Sequence, residues 1–297
     1  MSTPGRQRIL RRPKQSATRS RLAPVPARAD HDVVAPPTIT AVCVTAPGRS
    51  WCLGLAIDSF FRQRRLPGDE LLIVRDEDDL TALPIPREHC SMSTDQIRVA
   101  WVRSRTLGEK RNAAVRIARG DVLVTFDDDD YHAPRRLETI RSLMAAGARV
   151  VGSPQLVFAD LASEKRWLYT YQGARPYVVP GSMAFRREDF EAAGGYREDG
   201  RSSEDGGFTQ RLCERAGEKL AAVDDFGVYV ATMHPENTGK RTLAPPKWAP
   251  WSGRLDAGAE AGIAGLQTSW RKHGDPTVAA VSVQALRTQP AQERRGR

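Results

Sequence analysis

Long apolar runs are missing from this 297-residue sequence. No stretch approaches the roughly 20 apolar residues that a membrane-spanning helix needs. The N-terminus carries charge but lacks the apolar segment of a signal peptide. With 40% hydrophobic and 27% charged residues, the composition is typical of soluble globular proteins. We therefore expect a chain without a transmembrane segment.

Cysteine is also scarce. The four cysteines are Cys43, Cys52, Cys90 and Cys213. They form no CxxC pair and no zinc-ligand spacing with the five histidines. This pattern argues against a disulfide scaffold and is typical of a protein in a reducing cytoplasm.

Glycine-rich phosphate loops are absent as well. The sequence contains neither GxGxxG nor GxxxxGK[ST], the patterns in which backbone N–H groups hold a dinucleotide or a triphosphate. A Rossmann dehydrogenase and a P-loop enzyme are therefore not expected.

The positive charge is concentrated at the two ends of the chain. Of the net charge of +9, residues 1–30 contribute +7 and residues 271–297 contribute +4, so the remainder carries −2. A body without a basic stripe predicts no specific nucleic-acid partner. The basic tails can be solvated, or they can make peripheral contact with an anionic membrane surface.

Apolar segments at 39–44, 70–74 and 122–126 alternate with helical patterns. This alternation predicts an α/β fold whose mostly parallel central sheet has helices on both faces. Thr106 and Glu109 have the spacing of a capping box that opens one of these helices.

The domain prediction follows from changes in this pattern. Residues 1–37, rich in Arg, Pro, Ala and Ser, predict a disordered basic arm. Residues 38–240 predict one domain with halves at 38–147 and 148–240. Residues 241–297 predict a C-terminal extension that is partly disordered.

Four consecutive aspartates, Asp127 to Asp130, follow the third apolar segment. Unpaired carboxylates are costly inside a protein, so a cation must lie there or the run must be in water. Ligands bind at the carboxyl ends of strands in α/β sheets, and in an extended turn Asp127 and Asp129 can both reach one divalent ion. These residues alone leave a metal site and a solvated turn as alternatives.

Several motifs occur around this run in a particular order. They are Gly108-Glu109-Lys110-Arg111-Asn112-Ala113-Ala114, Ala118-Arg119-Gly120-Asp121, Phe126-Asp127-Asp128-Asp129-Asp130-Tyr131-His132-Ala133-Pro134, Gly194-Gly195-Tyr196 and Ser203-Glu204-Asp205. Together they resemble the signature of family 2 glycosyltransferases with the GT-A fold, over roughly residues 38–240.

The resemblance implies a role for each matching residue. Asp129 is implied as the main ligand of Mn²⁺ or Mg²⁺, Asp127 as a ribose or metal contact, and Asp205 as the general base. His234 is implied to complete the metal shell or to bond a phosphate oxygen. The implied nucleotide contacts are Thr45, Arg49, Asp76, Arg111 and Asp127. Glu77 and Asp78 depart from the family pattern, which leaves the nucleotide base open.

The resemblance implies a metal-dependent inverting glycosyltransferase, which moves a sugar from a nucleotide-diphosphate sugar to a hydroxyl of a glycan, lipid-linked or small-molecule acceptor. Two alternatives are a nucleotidyltransferase acting on a sugar phosphate and an inactive sugar-binding GT-A module. The loop at 46–49 is a poor version of the glycine-rich loop of nucleotidyltransferases. Intact Asp127, Asp129 and Asp205 argue against the inactive module.

Overall fold

A computed structural model describes residues 35–86, 95–200, 204–237 and 243–273. Several predictions concern residues outside these ranges. They are the basic arm up to residue 34, Cys90, Ser203 of the acceptor-side motif, and the basic tail from residue 274.

The described chain contains twelve strands and five α-helices. The first half consists of β1 (Ile39–Val44), α1 (Ser50–Phe61), β2 (Glu70–Asp76), β3 (Ile97–Val102), α2 (Leu107–Ile117), β4 (Val122–Thr125), β5 (Tyr131–His132) and α3 (Arg136–Ala145). The second half consists of β6 (Val150–Gly152), β7 (Gln155–Asp160), β8 (Arg166–Thr170), β9 (Ala184–Arg186), α4 (Glu204–Ala216), β10 (Leu220–Ala222), β11 (Tyr229–Met233), β12 (Trp248–Pro250) and α5 (Ala257–His273).

Seven strands form the larger sheet, in the order β10-β6-β9-β4-β1-β2-β3. The pairs β1–β2, β1–β4, β2–β3 and β6–β10 are parallel, whereas β9 runs antiparallel to β4 and β6. The carboxyl ends of β1, β2 and β4 therefore meet at one edge of the sheet, where ligands of α/β proteins bind.

Helices cover both faces of this sheet, which confirms the predicted fold class. Because successive strand residues point to opposite faces, Cys43 and Ile73 face α1 and α3, whereas Leu72 and Val74 face α2 and α4. The predicted capping box at the start of α2 is present, since Thr106 and Glu109 bond each other's backbone N–H groups. None of the described helices is long and apolar enough to cross a membrane.

Five strands form a second sheet, in the order β12-β8-β7-β11-β5. Its edge strand β12 and the helix α5 both come from the segment predicted as a C-terminal extension. Ile263 of α5 packs against Val157 and Val230 of this sheet, and Leu266 packs near Trp51 of α1. The described part of the extension therefore contributes to the core, and the domain boundary at 240 stays a prediction.

Candidate functional site

The acidic run lies at the carboxyl end of β4, in the middle of the larger sheet. Phe126 continues the strand by donating its N–H to the carbonyl of Val42 (2.9 Å), and the four aspartates follow. Asp128, Asp129 and Asp130 are only 3%, 8% and 8% exposed. The run is therefore not a solvated turn, and each buried carboxylate needs donors from elsewhere in the chain.

Asp128 holds two residues that follow β1. Thr45 Oγ1 donates to its carboxylate (2.5 Å), and Arg49 donates from Nε (3.0 Å) and Nη2 (2.8 Å). Burial raises the pKa of Asp128, the charge of Asp129 adds to this, and Arg49 opposes both. The resemblance places Thr45 and Arg49 on the nucleotide, but in this structure both bind an aspartate of the run.

One oxygen of Asp129 accepts three donors. Oδ2 lies 2.5 Å from Arg49 Nη2, 2.9 Å from His234 Nε2 and 3.1 Å from Asn237 Nδ2. Burial would raise the pKa of Asp129, but the hydrogen bond from His234 and the charge of Arg49 lower it to about 2. Asp129 is therefore a buried, ionised carboxylate. Asn237, three residues after His234, is a site residue for which we predicted no role.

Asp130 connects the run to β11 of the second sheet through hydrogen bonds. Its carboxylate accepts a short hydrogen bond from the Tyr229 hydroxyl and another from the Thr232 N–H (2.7 Å). His132 lies beneath the run, with its ring stacked on Phe126 and Nε2 2.9 Å from the backbone oxygen of Asp127. Asp130 and His132 thus support the run from below.

Asp127 faces a different set of neighbours from Asp129. It lines a small cavity with Arg111 and Tyr196 on the α2 side of the sheet. Burial raises the pKa of Asp127 to about 6, against the opposing charge of Arg111 and with a further contribution from Asp129. Asp127 and Asp129, which the sequence predicts on one ion, therefore have different neighbours in this structure.

Arg111 connects this cavity to the predicted general base. Its Nη1 makes a short ion pair with Glu204 and lies 3.8 Å from Asp205 Oδ2, and its guanidinium lies 5.6 Å from the Tyr196 ring centroid. Burial would lower the pKa of Arg111, but the charges of Asp205 and Asp127 raise it. The structure thus places Arg111 against the acids of α4, whereas the resemblance places it on the nucleotide.

Asp205 lies in the first turn of α4. Its Oδ1 accepts a hydrogen bond from the Gly206 N–H (2.6 Å), and its side chain is 35% exposed. A negative charge is favoured at the start of a helix. Asp205 is therefore an accessible carboxylate at the edge of the site.

Asp76 ends β2 and is paired with a lysine that we did not predict. Lys110 Nζ lies 2.7 Å from Asp76 Oδ1 and donates to the Thr45 carbonyl (3.0 Å). Lys110 is 6% exposed, so this cation lies buried between the ends of β1 and β2. Its only signal in the sequence is its place beside Arg111 in the motif.

The predicted metal ligands do not form a three-residue site. Among the residues that the structure describes, no three His, Cys, Asp or Glu side chains are grouped to hold a metal ion. His234 Nε2 faces the Asp129 carboxylate, which only accepts, so we assign the proton to this nitrogen, which then offers no lone pair to a metal. The buried Nδ1 of His234 has no hydrogen-bond partner in the described chain.

A site completed by the substrate nevertheless fits Asp129. Mg²⁺ is commonly held by one or two carboxylates together with substrate phosphates. Asp129 supplies a charged oxygen, Oδ2, and a cation already binds it, since Arg49 Nη2 lies 2.5 Å away. The residues therefore suit an ion shared with a diphosphate, with His234 as a donor that orients Asp129.

Comparisons with known proteins bear on the family and the fold of the chain. The family model described as "Glycosyl transferase family 2" matches residues 42–196, which is more than half of the chain. A search of curated proteins finds no match.

Solved structures give a likeness in fold. TarS of S. aureus (residues 1–349) in complex with UDP-GlcNAc is 16% identical, with a TM-score of 0.53 over 67% of this chain and 60% of that one. Its complex with UDP is 17% identical, with a TM-score of 0.52 over 67% and 61%. This chain thus spans about 60% of the length of those structures. At this level of identity the likeness concerns the fold alone.

Proposed function

Because the chain belongs to glycosyl transferase family 2, we propose that it is a nucleotide-sugar-dependent glycosyltransferase. The predicted family and the GT-A fold are confirmed. The observation that carries the proposal is that the acidic run and Asp205 lie at one edge of the sheet, joined through Arg111. Such an edge brings a donor and an acceptor together.

The donor is proposed to bind where β1, β2 and β4 end. Asp76 can accept a hydrogen bond from a ribose hydroxyl or from a base. Lys110 and Arg49 are the cations beside these strand ends, where the diphosphate is proposed to lie. Arginine suits this contact because its fork of donors matches phosphate oxygens. The TarS structures, which are similar in fold, contain UDP-GlcNAc and UDP, and this supports a diphosphate donor for the present chain.

The metal dependence predicted from the sequence is part of the proposal. Asp129 would hold Mn²⁺ or Mg²⁺, with Asp127 as the second carboxylate of the run. When bound, such an ion stabilises the charge of a diphosphate leaving group. The support from this chain is the ionised, buried state of Asp129 and the hydrogen bonds that orient it.

Asp205 is proposed to accept the proton of the acceptor hydroxyl. Its part-exposed carboxylate lies in the first turn of α4, where an acceptor can reach it. The deprotonated oxygen would attack the anomeric carbon on the face opposite the leaving diphosphate, so the configuration would invert. Glu204 is held in an ion pair with Arg111 and is the less available of the two acids.

The acceptor and the cellular setting are the remaining parts of this proposal. We propose a hydroxyl of a glycan, a lipid-linked or a small-molecule acceptor, bound by the half from residue 148 onwards. The described cysteines Cys43, Cys52 and Cys213 are free and buried, in keeping with the predicted cytoplasmic setting. Peripheral membrane contact through the basic tails concerns residues outside the described ranges.

Product analysis tests the proposal. With nucleotide sugars as donors, we expect release of a nucleoside diphosphate and a product of inverted anomeric configuration, seen by NMR. Asp205→Asn should abolish transfer while donor binding stays near normal, and Asp129→Ala should abolish transfer and weaken donor binding. Glu218→Gln, which alters an exposed acid just after α4, should change neither.

Two results would contradict the proposal. Full transfer by Asp205→Asn would remove its assignment as the base. Release of pyrophosphate from a nucleoside triphosphate and a sugar phosphate would instead indicate the nucleotidyltransferase alternative.

A further inference from the structure

Arg49 is the cation that pairs with the buried carboxylates of the acidic run. Its guanidinium contacts Asp128 through Nε and Nη2 and Asp129 through Nη2, and its side chain is 17% exposed. The Asp129 oxygen that it contacts also accepts from His234 and Asn237. Because that oxygen already accepts three donors, a metal ion can bind it only after one of them leaves.

The two aspartates hold Arg49 unequally. Asp128 receives two donor groups, which is the stronger, bidentate arrangement, and its other contact comes from Thr45. Asp129 receives Nη2 alone. A small rotation of the guanidinium can therefore release Asp129 while Nε stays bonded to Asp128.

We propose that Arg49 is a resident counter-ion that competes with the divalent metal for Asp129, and that the diphosphate of the donor draws it away. This inference rests on the proposed function. A metal ion and a guanidinium on the same carboxylate repel each other. A diphosphate offers Arg49 a second anionic partner, so its arrival frees Asp129 for the metal.

Coupled binding of metal and donor is the consequence. Because coupling between two ligands is reciprocal, the diphosphate strengthens metal binding and the metal strengthens diphosphate binding. Without a nucleotide, Arg49 keeps the affinity for metal low. Before the donor arrives, the single positive charge of Arg49 balances one of the two negative charges of Asp128 and Asp129.

A titration with Mn²⁺ alone tests this role, with free Mn²⁺ measured by electron paramagnetic resonance. Arg49→Gln should bind Mn²⁺ at least about tenfold more tightly than the wild type, within the range of typical coupling factors. The matched control is Arg64→Gln, which removes the same charge from a side chain that is 67% exposed. It should leave Mn²⁺ affinity within about twofold of the wild type, since exposed charges are screened.

A second variant covers the case in which Arg49→Gln fails to fold, as judged by circular dichroism. Arg49→Lys keeps the charge, but a single ammonium cannot bond Asp128 at two points and also reach Asp129. It should bind Mn²⁺ several-fold more tightly than the wild type. Affinity equal to that of Arg64→Gln, in a folded Arg49 variant, would overturn the inference.

The outcome is separable from failure of the proposed function. If transfer needs metal but neither Arg49 variant binds Mn²⁺ more tightly, the role of Arg49 is wrong and the proposed function stands. If transfer is complete in EDTA and no variant binds Mn²⁺, the proposed metal dependence is wrong as well.

Discussion

Replacing Arg111 with methionine should destabilise the protein, because three carboxylates lose a buried positive charge. The guanidinium pairs with Glu204, lies 3.8 Å from Asp205 and shares a cavity with Asp127. Breaking a buried ion pair by removing one partner costs about 3–5 kcal/mol. The Arg111 and Glu204 side chains are 16% and 15% exposed, so we expect the lower part of that range, about 3 kcal/mol.

Urea unfolding of the wild type and of the variant measures this cost. For a chain of this size, about 3 kcal/mol also corresponds to a fall in Tm of about 6–12 °C. Arg64→Met provides the matched control, since Arg64 and Glu138 form an exposed pair with side chains 67% and 48% exposed. Its cost should be below about 1 kcal/mol.

A double-mutant cycle identifies the cause of the loss. Arg111→Met combined with Glu204→Gln should be less destabilised than the sum of the single variants, with a coupling energy of about 1–3 kcal/mol. Part of the cost should persist, because Asp205 and Asp127 still lack the guanidinium. A cost for Arg111→Met no larger than that of Arg64→Met, or additivity in the cycle, would refute the account of Arg111 as a buried counter-charge.

Further predictions concern backbone fit and pH. Gly108→Ala should prevent stable folding or lower Tm strongly, because its Cβ would lie 1.7 Å from the Arg197 carbonyl oxygen. Gly265→Ala, with no atom within 4 Å of the added Cβ, should instead stabilise α5 by about 0.5–1 kcal/mol, and equal Tm changes for the two variants would contradict this. In the folded protein the pKa of Asp127 is raised to about 6, above the unfolded value of about 3.9. The stability that Asp127 contributes is therefore complete below about pH 3.9 and is lost as the pH rises through about 6. In EDTA, Asp127→Asn should therefore be more stable than the wild type to urea at pH 8 but not at pH 4, and an unchanged pH profile would argue against the raised pKa.

The features that could be predicted from the sequence depend on residues close together in the chain or on the periodicity of apolar residues. The alternation of strands and helices follows from periodicity, and the capping box depends on two residues three positions apart. The acidic run was recognisable because a buried strand cannot end in unpaired charges.

The pairing of charges was not predictable in this way. Arg49 and Asp128 are 79 residues apart, and Arg111 and Glu204 are 93 residues apart. Which carboxylate each arginine meets depends on how strands and helices pack, and a motif gives no side-chain direction. The resemblance implies both arginines as nucleotide contacts, and the structure shows which carboxylates each one pairs with, namely those of the acidic run for Arg49 and those of α4 for Arg111.

The contribution of the C-terminal segment was also not foreseen. Helix α5 packs on α1, where Ser269 donates to the Trp51 carbonyl and His273 stacks on the Trp51 ring. Few of its side chains are apolar, and the residues that it contacts are distant in sequence, such as Trp51, which is 218 residues from Ser269. The position of α5 is therefore determined by its packing against α1 and the second sheet.

Binding of nucleotide sugars is the most direct test of the central claim, that the edge of the sheet at Asp129 holds a nucleotide-diphosphate sugar. Thermal unfolding of the wild type and of Asp129→Ala would be followed with a panel of UDP-, GDP-, ADP-, CDP- and dTDP-sugars, with and without Mn²⁺. At a hundredfold excess over its Kd, the correct donor should raise the Tm of the wild type by about 5–10 °C. The rise should need Mn²⁺ and should be much smaller in Asp129→Ala. If no nucleotide sugar shifts the wild type, or if one shifts both proteins equally, the account is contradicted.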